Sequence, residues 1–326
     1  MSDGNVVIVG ESRQRPDLVD RFGGAASGNH ATYRVLKRDG TEVKALTLAS
    51  ENAVVTEMWH GAAVINGGFA IRFAKAGRAT IRIFNNDGTP RTGDIDLGNL
   101  AGSDLYARGG RGDGAGFDGN GKDAFAAVCT AQVTVGEVQI NKPFVMVINA
   151  DGTLRWARSA ADDFENANSD RVDCAISEDG RVAVVFADSA YSAPAPSRLV
   201  AGRLFNRNGD PITGTFRVSE KETPDLATKE SRHPRVAWRN NSIAVAWESG
   251  NAPDANVRVV AARFFDLPMS SVESAGLIAA SPTTYINPPV ENSPHPLNNG
   301  RVESLGVSIA SNGNVIIGWE DDGSGL

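Results

Sequence analysis

The chain has 326 residues, among them 35 glycines, and carries a net charge of −7 with a pI near 5.2. This acidic balance gives no electrostatic reason to expect nucleic-acid binding, and no apolar run of about 18 residues predicts a membrane span. Abundant glycine and Asn/Asp turns, without helical leucine periodicity, are typical of many short strands joined by tight turns.

A polar tip followed by an apolar strand opens the chain and recurs along it. Asn-Gly and Asp-Gly between apolar runs are strong hairpin signals, because both residues adopt positive φ readily. The copies are Asp3–Gly10, Asn66–Phe73, Asn120–Val128, Asp179–Phe186, Asn241–Trp247 and Asn312–Trp319.

A second turn follows each of the first five tips, at intervals of about 50 to 65 residues, and a repeat of this length is typical of propellers and arrays. Its copies are Asp39-Gly40, Asp87-Gly88, Asp151-Gly152, Asn208-Gly209 and a degenerate one at Phe265–Pro268.

Each repeat therefore predicts four strands, named a to d in chain order. In the fourth repeat they are expected over 171–177, 181–188, 198–206 and 211–219. Strands b and c are apolar on both faces, so neighbouring sheets must cover both sides of each sheet.

The sequence predicts one all-β domain over 1–326: a β-propeller of four-stranded antiparallel blades, with five blades as the first choice and six as the second. The N- and C-terminal strands are expected to join and close the ring. A chain cut from a longer array is a third alternative. The approximate repeats are 1–55, 56–105, 106–165, 166–225, 226–290 and 291–326, the last one partial.

Three segments carry a resemblance: Val245–Ser249, Arg203–Pro211 and Phe216–Val218. They are similar to a repeat found in large bacterial exported proteins. The resemblance implies an exported, propeller-like module and no particular activity, since such folds host many functions. Met1 to Asn5 do not predict a signal peptide, but a mature exported protein with a new initiating methionine would look the same.

Three histidines are candidate catalytic or metal-binding residues. His60 and His233 precede strand a of their repeats, and His295 lies in the approach to the last one. Because strand a is innermost in a propeller, these imidazoles could meet at the channel mouth as a general base or as ligands of a divalent metal. The pattern resembles metal-dependent propeller lyases of acidic polysaccharides. Loop histidines bonded to backbone are the alternative.

A glycine-rich segment contains the candidate calcium ligands Asp118, Asn120 and Asp123, since closely spaced oxygens suit Ca²⁺. It resembles the calcium loop of FG-GAP repeats, but Gly116 replaces the first acidic ligand and Ala124 the last. A solvated hairpin is the alternative.

Two further residues are candidate ligand contacts. Trp59 neighbours His60 and could stack on a sugar ring. Arg111 begins an Arg-Gly-Asp tripeptide, for which chance occurrence is the alternative.

Two sets of residues recur in register and predict structural roles. The arginines at 34, 82, 203 and 263 precede the second turn by the same spacing and are expected to bond carbonyls or carboxylates of a neighbouring blade, with Glu248 among the candidate partners. The two cysteines, Cys129 and Cys174, are interpreted as buried thiols, with a bridge as the alternative.

Three functional hypotheses follow. The first is an extracellular or cell-surface binding propeller that recognises a glycan or another surface ligand at the channel mouth. The second is a metal-assisted polysaccharide lyase or hydrolase using the histidines. The third is a structural module of a larger surface protein. Ca²⁺ or another divalent metal is the candidate cofactor, and the oligomeric state is left open.

Overall fold

A computed structural model of the chain describes residues 1–13, 29–51, 56–57, 61–103, 116–135, 137–162, 169–188, 199–219, 231–249, 259–267, 278–279, 281–286 and 302–321. Strands make up most of these residues. They form six antiparallel sheets, numbered here in chain order.

The first two sheets lie in the N-terminal part of the chain. Sheet 1 contains β1 (Val6–Arg13), β2 (Asn29–Leu36) and β3 (Glu42–Leu48). Sheet 2 contains β4 (Thr56–Glu57), β5 (Ala62–Ile65), β6 (Gly68–Lys75), β7 (Arg78–Asn85) and β8 (Ile95–Asp96).

The two central sheets have four strands each. Sheet 3 contains β9 (Phe117–Gly119), β10 (Ala124–Val135), β11 (Val138–Asn149) and β12 (Leu154–Ser159). Sheet 4 contains β13 (Ser169–Ile176), β14 (Val182–Asp188), β15 (Leu199–Phe205) and β16 (Phe216–Arg217).

The last two sheets lie in the C-terminal part of the chain. Sheet 5 contains β17 (Ser231–Arg239), β18 (Ser242–Ser249), β19 (Val259–Asp266), β20 (Ile278–Ala279) and β21 (Thr284–Tyr285). Sheet 6 contains β22 (Val302–Ile309) and β23 (Val315–Asp321).

This organisation confirms the predicted fold class, a β-propeller of four-stranded antiparallel blades. The blade number, the closing of the ring and the single-domain boundaries stay predictions.

The residues group into two compact units. The first comprises 1–131, 144–158 and 178–180, and the second comprises 132–143, 159–177 and 181–326. In the first, Tyr33 of sheet 1 packs on Phe69 and Phe84 of sheet 2, and the last two rings stack with centroids 5.2 Å apart. In the second, Trp247 lies in a cluster shared by sheets 4 and 5.

Strand b is buried on both faces, as its apolar sequence predicts. Every described residue of β14 is buried. In β18, Val245 and Trp247 join the cluster shared with sheet 4, while Ala246 packs with Leu305 of sheet 6. Alternate side chains of one strand therefore contact two different sheets.

The recurrent second turn is held by its own aspartate. Asp87 accepts hydrogen bonds from the backbone N and the hydroxyl of Thr89 (2.8 and 2.7 Å), and Asp151 bonds Thr153 in the same way. These bonds hold the pKa of both aspartates below the usual range. The Asp-Gly-Thr sequence thus closes the turn locally.

One short helix, α1 (Leu97–Ala101), interrupts the strand pattern in the described residues after β8. Asp96 caps its N-terminus by accepting a hydrogen bond from the backbone N of Asn99 (2.9 Å), and Gly102 ends it in the left-handed conformation. The helix begins the segment in which the repeat is least regular. None of the described helices is long and apolar enough to cross a membrane.

Substituting Gly119, which lies at the contact between sheets 2 and 3, should strongly lower the stability of the fold. A Cβ on Gly119 would lie 2.3 Å from the backbone oxygen of Val64, whereas one on Gly318 would meet nothing within 4 Å. We expect Gly119→Ala to lower the free energy of unfolding by about 2 kcal/mol or more, since overpacking forces backbone shifts. Gly318→Ala, the control, should stay within about 0.5 kcal/mol of wild type in urea titrations. Equal effects would contradict this packing.

Ionisation of the buried Tyr33 phenol should lower the stability of the fold at alkaline pH. Its hydroxyl donates a buried hydrogen bond to the Gly88 carbonyl (2.8 Å), and burial raises its pKa to about 12. In the unfolded chain it ionises near pH 10. The contribution of the neutral phenol is therefore complete below pH 10 and is lost as the pH rises towards 12.

Denaturant titrations across pH compare wild type with Tyr33→Phe. At pH 8 the variant should be less stable by about 1 kcal/mol, because it lacks the hydrogen bond to Gly88. The gap should close between pH 10 and 12. A stability difference between wild type and Tyr33→Phe that stays constant from pH 10 to 12 would contradict the raised pKa of Tyr33.

Candidate functional site

Strand a shifts its register against strand b at the same place in several sheets. In sheets 4, 5 and 6 the shift falls between Asp170 and Val172, between Arg232 and Arg235, and between Glu303 and Gly306. In sheet 2, strand a is divided into β4 and β5, and its register on β6 changes between Glu57 and Ala62. The shifts in sheets 4, 5 and 6 are β-bulges, which re-aim side chains and are common near functional sites.

The bulges lie beside one shared position of strand b. The aromatic residues at this position are Phe73, Phe186, Trp247 and Trp319. Phe186 pairs with Val172 directly after the bulge of sheet 4. The recurrent aromatic position of the sequence thus marks where strand a changes register.

His233 is a bulge residue of sheet 5. Its φ is +48°, a left-handed conformation that costs a non-glycine residue about 1 kcal/mol. Its Nδ1 lies 2.6 Å from Oε2 of Glu248, a carboxylate that is 1% exposed, while the imidazole is 17% exposed. A buried carboxylate therefore holds a partly accessible imidazole in one orientation.

Arg171 occupies the corresponding place in sheet 4. Its φ is +50°, close to that of His233. Its Nη1 is buried and has no hydrogen-bond partner among the residues that the structure describes. Two adjacent sheets thus hold a strained polar residue at the same position of strand a.

A second buried polar pair lies beside Arg171. The Ser169 hydroxyl donates to Oδ2 of Asp188 at 2.5 Å, and both residues are fully buried. These two residues face each other in the register of β13 and β14. Ser169, Arg171, Asp188, His233 and Glu248 are called the bulge site below.

Hydrogen bonds join the inner strands of sheets 4, 5 and 6. Oδ2 of Asp173 accepts from the backbone N of Val236 (3.0 Å), and Nε of Arg235 donates to the Leu305 carbonyl (3.0 Å). Burial raises the pKa of Asp173, and the nearby Arg235 opposes this shift. The bulge site is therefore built on strands that are fixed to each other.

The structure describes only some of the predicted ligand-binding residues. His233 lies in the bulge site. Trp59, His60, Arg111 and His295 lie outside the described residues, so their roles stay predictions.

The segment predicted to bind calcium forms a hairpin held by its own side chains. Oδ1 of Asn120 accepts hydrogen bonds from three consecutive backbone N atoms, at 2.9 to 3.0 Å. Asp123 bonds the Asn120 amide and pairs with Arg155. Among the described residues, no group of three His, Cys, Asp or Glu could hold a metal ion. Calcium binding by Asp118, Asn120 and Asp123 stays a prediction.

Three of the four recurrent arginines contact the end of the preceding repeat. Arg82 donates to the Ala49 carbonyl (3.4 Å), and Arg263 to the Val218 carbonyl (3.0 Å). Arg203, which is 5% exposed, pairs with Asp162. Arg34 in the first repeat instead pairs with Glu42 of its own sheet at the surface.

Sequence reasoning missed most of the bulge site. It did not single out Ser169, Arg171 or Asp188, and it offered Glu248 as a partner of an arginine, whereas the structure pairs Glu248 with His233. The one sequence signal for this site was that His60 and His233 both precede strand a of their repeats. Cys129 and Cys174 are both buried and are not joined by a disulfide, in agreement with the first interpretation. Burial raises the pKa of the Cys129 thiol to about 11.

No protein-family model and no curated protein sequence matches this chain. A protein of unknown function from Dyadobacter fermentans has a similar structure, with a TM-score of 0.54 and 9% identity over 99% of this chain and 89% of that one. This likeness shows the fold alone.

Two enzyme structures are more distant. An endo-arabinase from Bacteroides thetaiotaomicron gives a TM-score of 0.41 at 9% identity, over 81% of this chain and 89% of that one. A xylan β-1,4-xylosidase from Bacillus halodurans gives 0.41 at 11% identity, over 82% of this chain and 49% of that one. Likenesses this weak support no conclusion about activity.

Replacing a buried recurrent arginine should cost more folding stability than replacing an exposed one. We expect Arg263→Met to lower the free energy of unfolding by about 1 to 3 kcal/mol, because the Val218 carbonyl loses its charged donor. Arg34→Met is the matched control. It breaks an exposed ion pair and should cost less than about 1 kcal/mol in the same urea titration. Equal costs would contradict a structural role of Arg263.

Proposed function

We propose that this protein is a ligand-binding propeller that binds a glycan at the bulge site. The observation that carries the proposal is the pairing of His233, held in a left-handed backbone conformation, with the buried carboxylate of Glu248. Backbone strain and a buried charge both cost stability, and they persist together mainly at functional sites.

The bulge site is preorganised. Glu248 orients the imidazole of His233, Asp188 orients the hydroxyl of Ser169, and the Asp173 bond fixes the two strands that carry them. A ligand that meets fixed polar groups loses less ordering entropy on binding than one that meets mobile groups. This favours recognition of a defined polar surface.

The mixture of groups suits a glycan. Sugar hydroxyls donate and accept hydrogen bonds, and the site offers an imidazole and a guanidinium to such groups. Trp59, which lies outside the described residues, is predicted from the sequence alone to stack on a sugar ring. The resemblance to exported repeat proteins supports an extracellular or cell-surface location.

The binding proposal predicts the effects of two variants. His233→Ala should weaken binding to a responsive glycan at least tenfold, because it removes the oriented imidazole. Glu248→Gln should give a smaller loss, because the amide still contacts the ring but without charge. A glycan panel followed by calorimetric titration measures both effects.

Glu42→Gln, which changes an exposed carboxylate of sheet 1, is the matched control and should bind like wild type. Thermal melts should show that each variant is folded at the temperature of the titration. Unchanged affinity of folded His233→Ala, or silence of wild type across neutral, acidic and sulfated glycans, would contradict the proposal.

A second candidate is polysaccharide cleavage with His233 as the general base. The specific observation is the 2.6 Å contact between Nδ1 and Glu248, because a carboxylate that orients a base is a recurrent catalytic arrangement. A screen of acidic polysaccharides for new reducing ends and unsaturated products tests this. Activity that survives in His233→Ala would exclude His233 as the base.

A further inference from the structure

The two bulge residues, His233 and Arg171, differ in the hydrogen-bond partners of their side chains. His233 contacts Glu248 through Nδ1. The corresponding Arg171 has the same left-handed backbone, with φ of +50°, and its buried Nη1 has no hydrogen-bond partner among the residues described. A buried cationic N–H without an acceptor is destabilising, because it has lost water and gained nothing in exchange.

Two carboxylates of sheet 4 that lie near Arg171 in register are bonded to other groups. Asp188 accepts the hydroxyl of Ser169, and Asp173 accepts the backbone N of Val236 in the next sheet. Arg171 therefore combines a strained backbone with a buried Nη1 that has no hydrogen-bond acceptor among the described residues. This combination is expected of a residue whose partner arrives with a ligand.

We propose that Arg171 binds an oxyanion group of the ligand, so that the glycan recognised at the bulge site is acidic. A guanidinium presents a planar fork of donors that matches a carboxylate or a sulfate ester, the two oxyanions that glycans commonly carry. This inference rests on the proposed function and specifies its ligand class.

In this proposal the two bulge residues contact different groups of the ligand. Arg171 in sheet 4 takes the charged group, and His233 in sheet 5 takes hydroxyl groups of the same ligand. The bond from the Val236 backbone to Asp173 fixes strands β13 and β17 to each other and thus sets the spacing of the two contacts.

Arg171→Gly separates a binding role from a structural one. Glycine adopts φ of +50° without strain, so the variant should melt no lower than wild type, yet it loses the guanidinium. Asn240→Gly is the matched control. Asn240 is an exposed residue with φ of +53° at the hairpin tip between β17 and β18, so the same relief of strain occurs away from the bulges.

Titration calorimetry compares an oligomer of glucuronic acid, its methyl ester and a sulfated oligosaccharide as probes. Wild type and Asn240→Gly should bind at least one acidic probe tenfold or more tightly than the neutral ester. Arg171→Gly should lose this preference. The carboxylate and sulfate probes identify which oxyanion the site takes.

Equal affinity of wild type for acidic and neutral probes would overturn the role of Arg171 while leaving glycan binding intact. If no oligosaccharide binds, glycan binding fails, and melting curves in sodium sulfate against sodium chloride of equal ionic strength decide the anion site. Because sulfate stabilises folded proteins in general, the test is the difference between the two proteins. A larger rise in melting temperature with sulfate in wild type than in Arg171→Gly would support an anion site, and an equal rise in both would overturn it.

Discussion

Burial of both faces of strand b is the constraint on which this fold depends. A single antiparallel sheet of this composition would leave one apolar face in water, and β18 is apolar on both faces from Ile243 to Trp247. Val245 and Trp247 contact sheet 4, and Ala246 contacts sheet 6, so the strand is covered only when neighbouring sheets are present. Neighbouring sheets therefore approach each other closely, and at Gly119 the backbone of Val64 leaves no room for a Cβ.

The same packing leaves few places where polar side chains can be presented. Truncating a buried side chain of strand b would open a cavity, and the first three of the second turns are closed by their own aspartates. Strand a differs, because its register shift adds a residue that the ladder does not use. In sheets 4 and 5 that residue is polar and strained, so stability is given up where a ligand contact can be formed.

Much of the fold could be predicted from the sequence, because its signals are local. Asn-Gly and Asp-Gly turns fixed the strand ends to within a few residues, and the two-sided apolar pattern of strand b indicated stacked sheets. The bulge site was largely invisible, because a bulge depends on pairing between strands rather than on residue type. Ser169, Arg171 and Asp188 have no spacing that a single sequence would mark, and Glu248 was recognised as recurrent but given another partner.

The recurrence of the bulge indicates how such a fold can acquire specificity. Sheets 2, 4, 5 and 6 all change register beside the aromatic position of strand b, so the backbone feature belongs to the repeat and not to one ligand. What differs between sheets 4 and 5 is the residue placed there: Arg171 in sheet 4 and His233 in sheet 5. Because both residues have nearly the same left-handed φ, substituting that one residue alters the chemistry offered without disturbing the packed strands behind it.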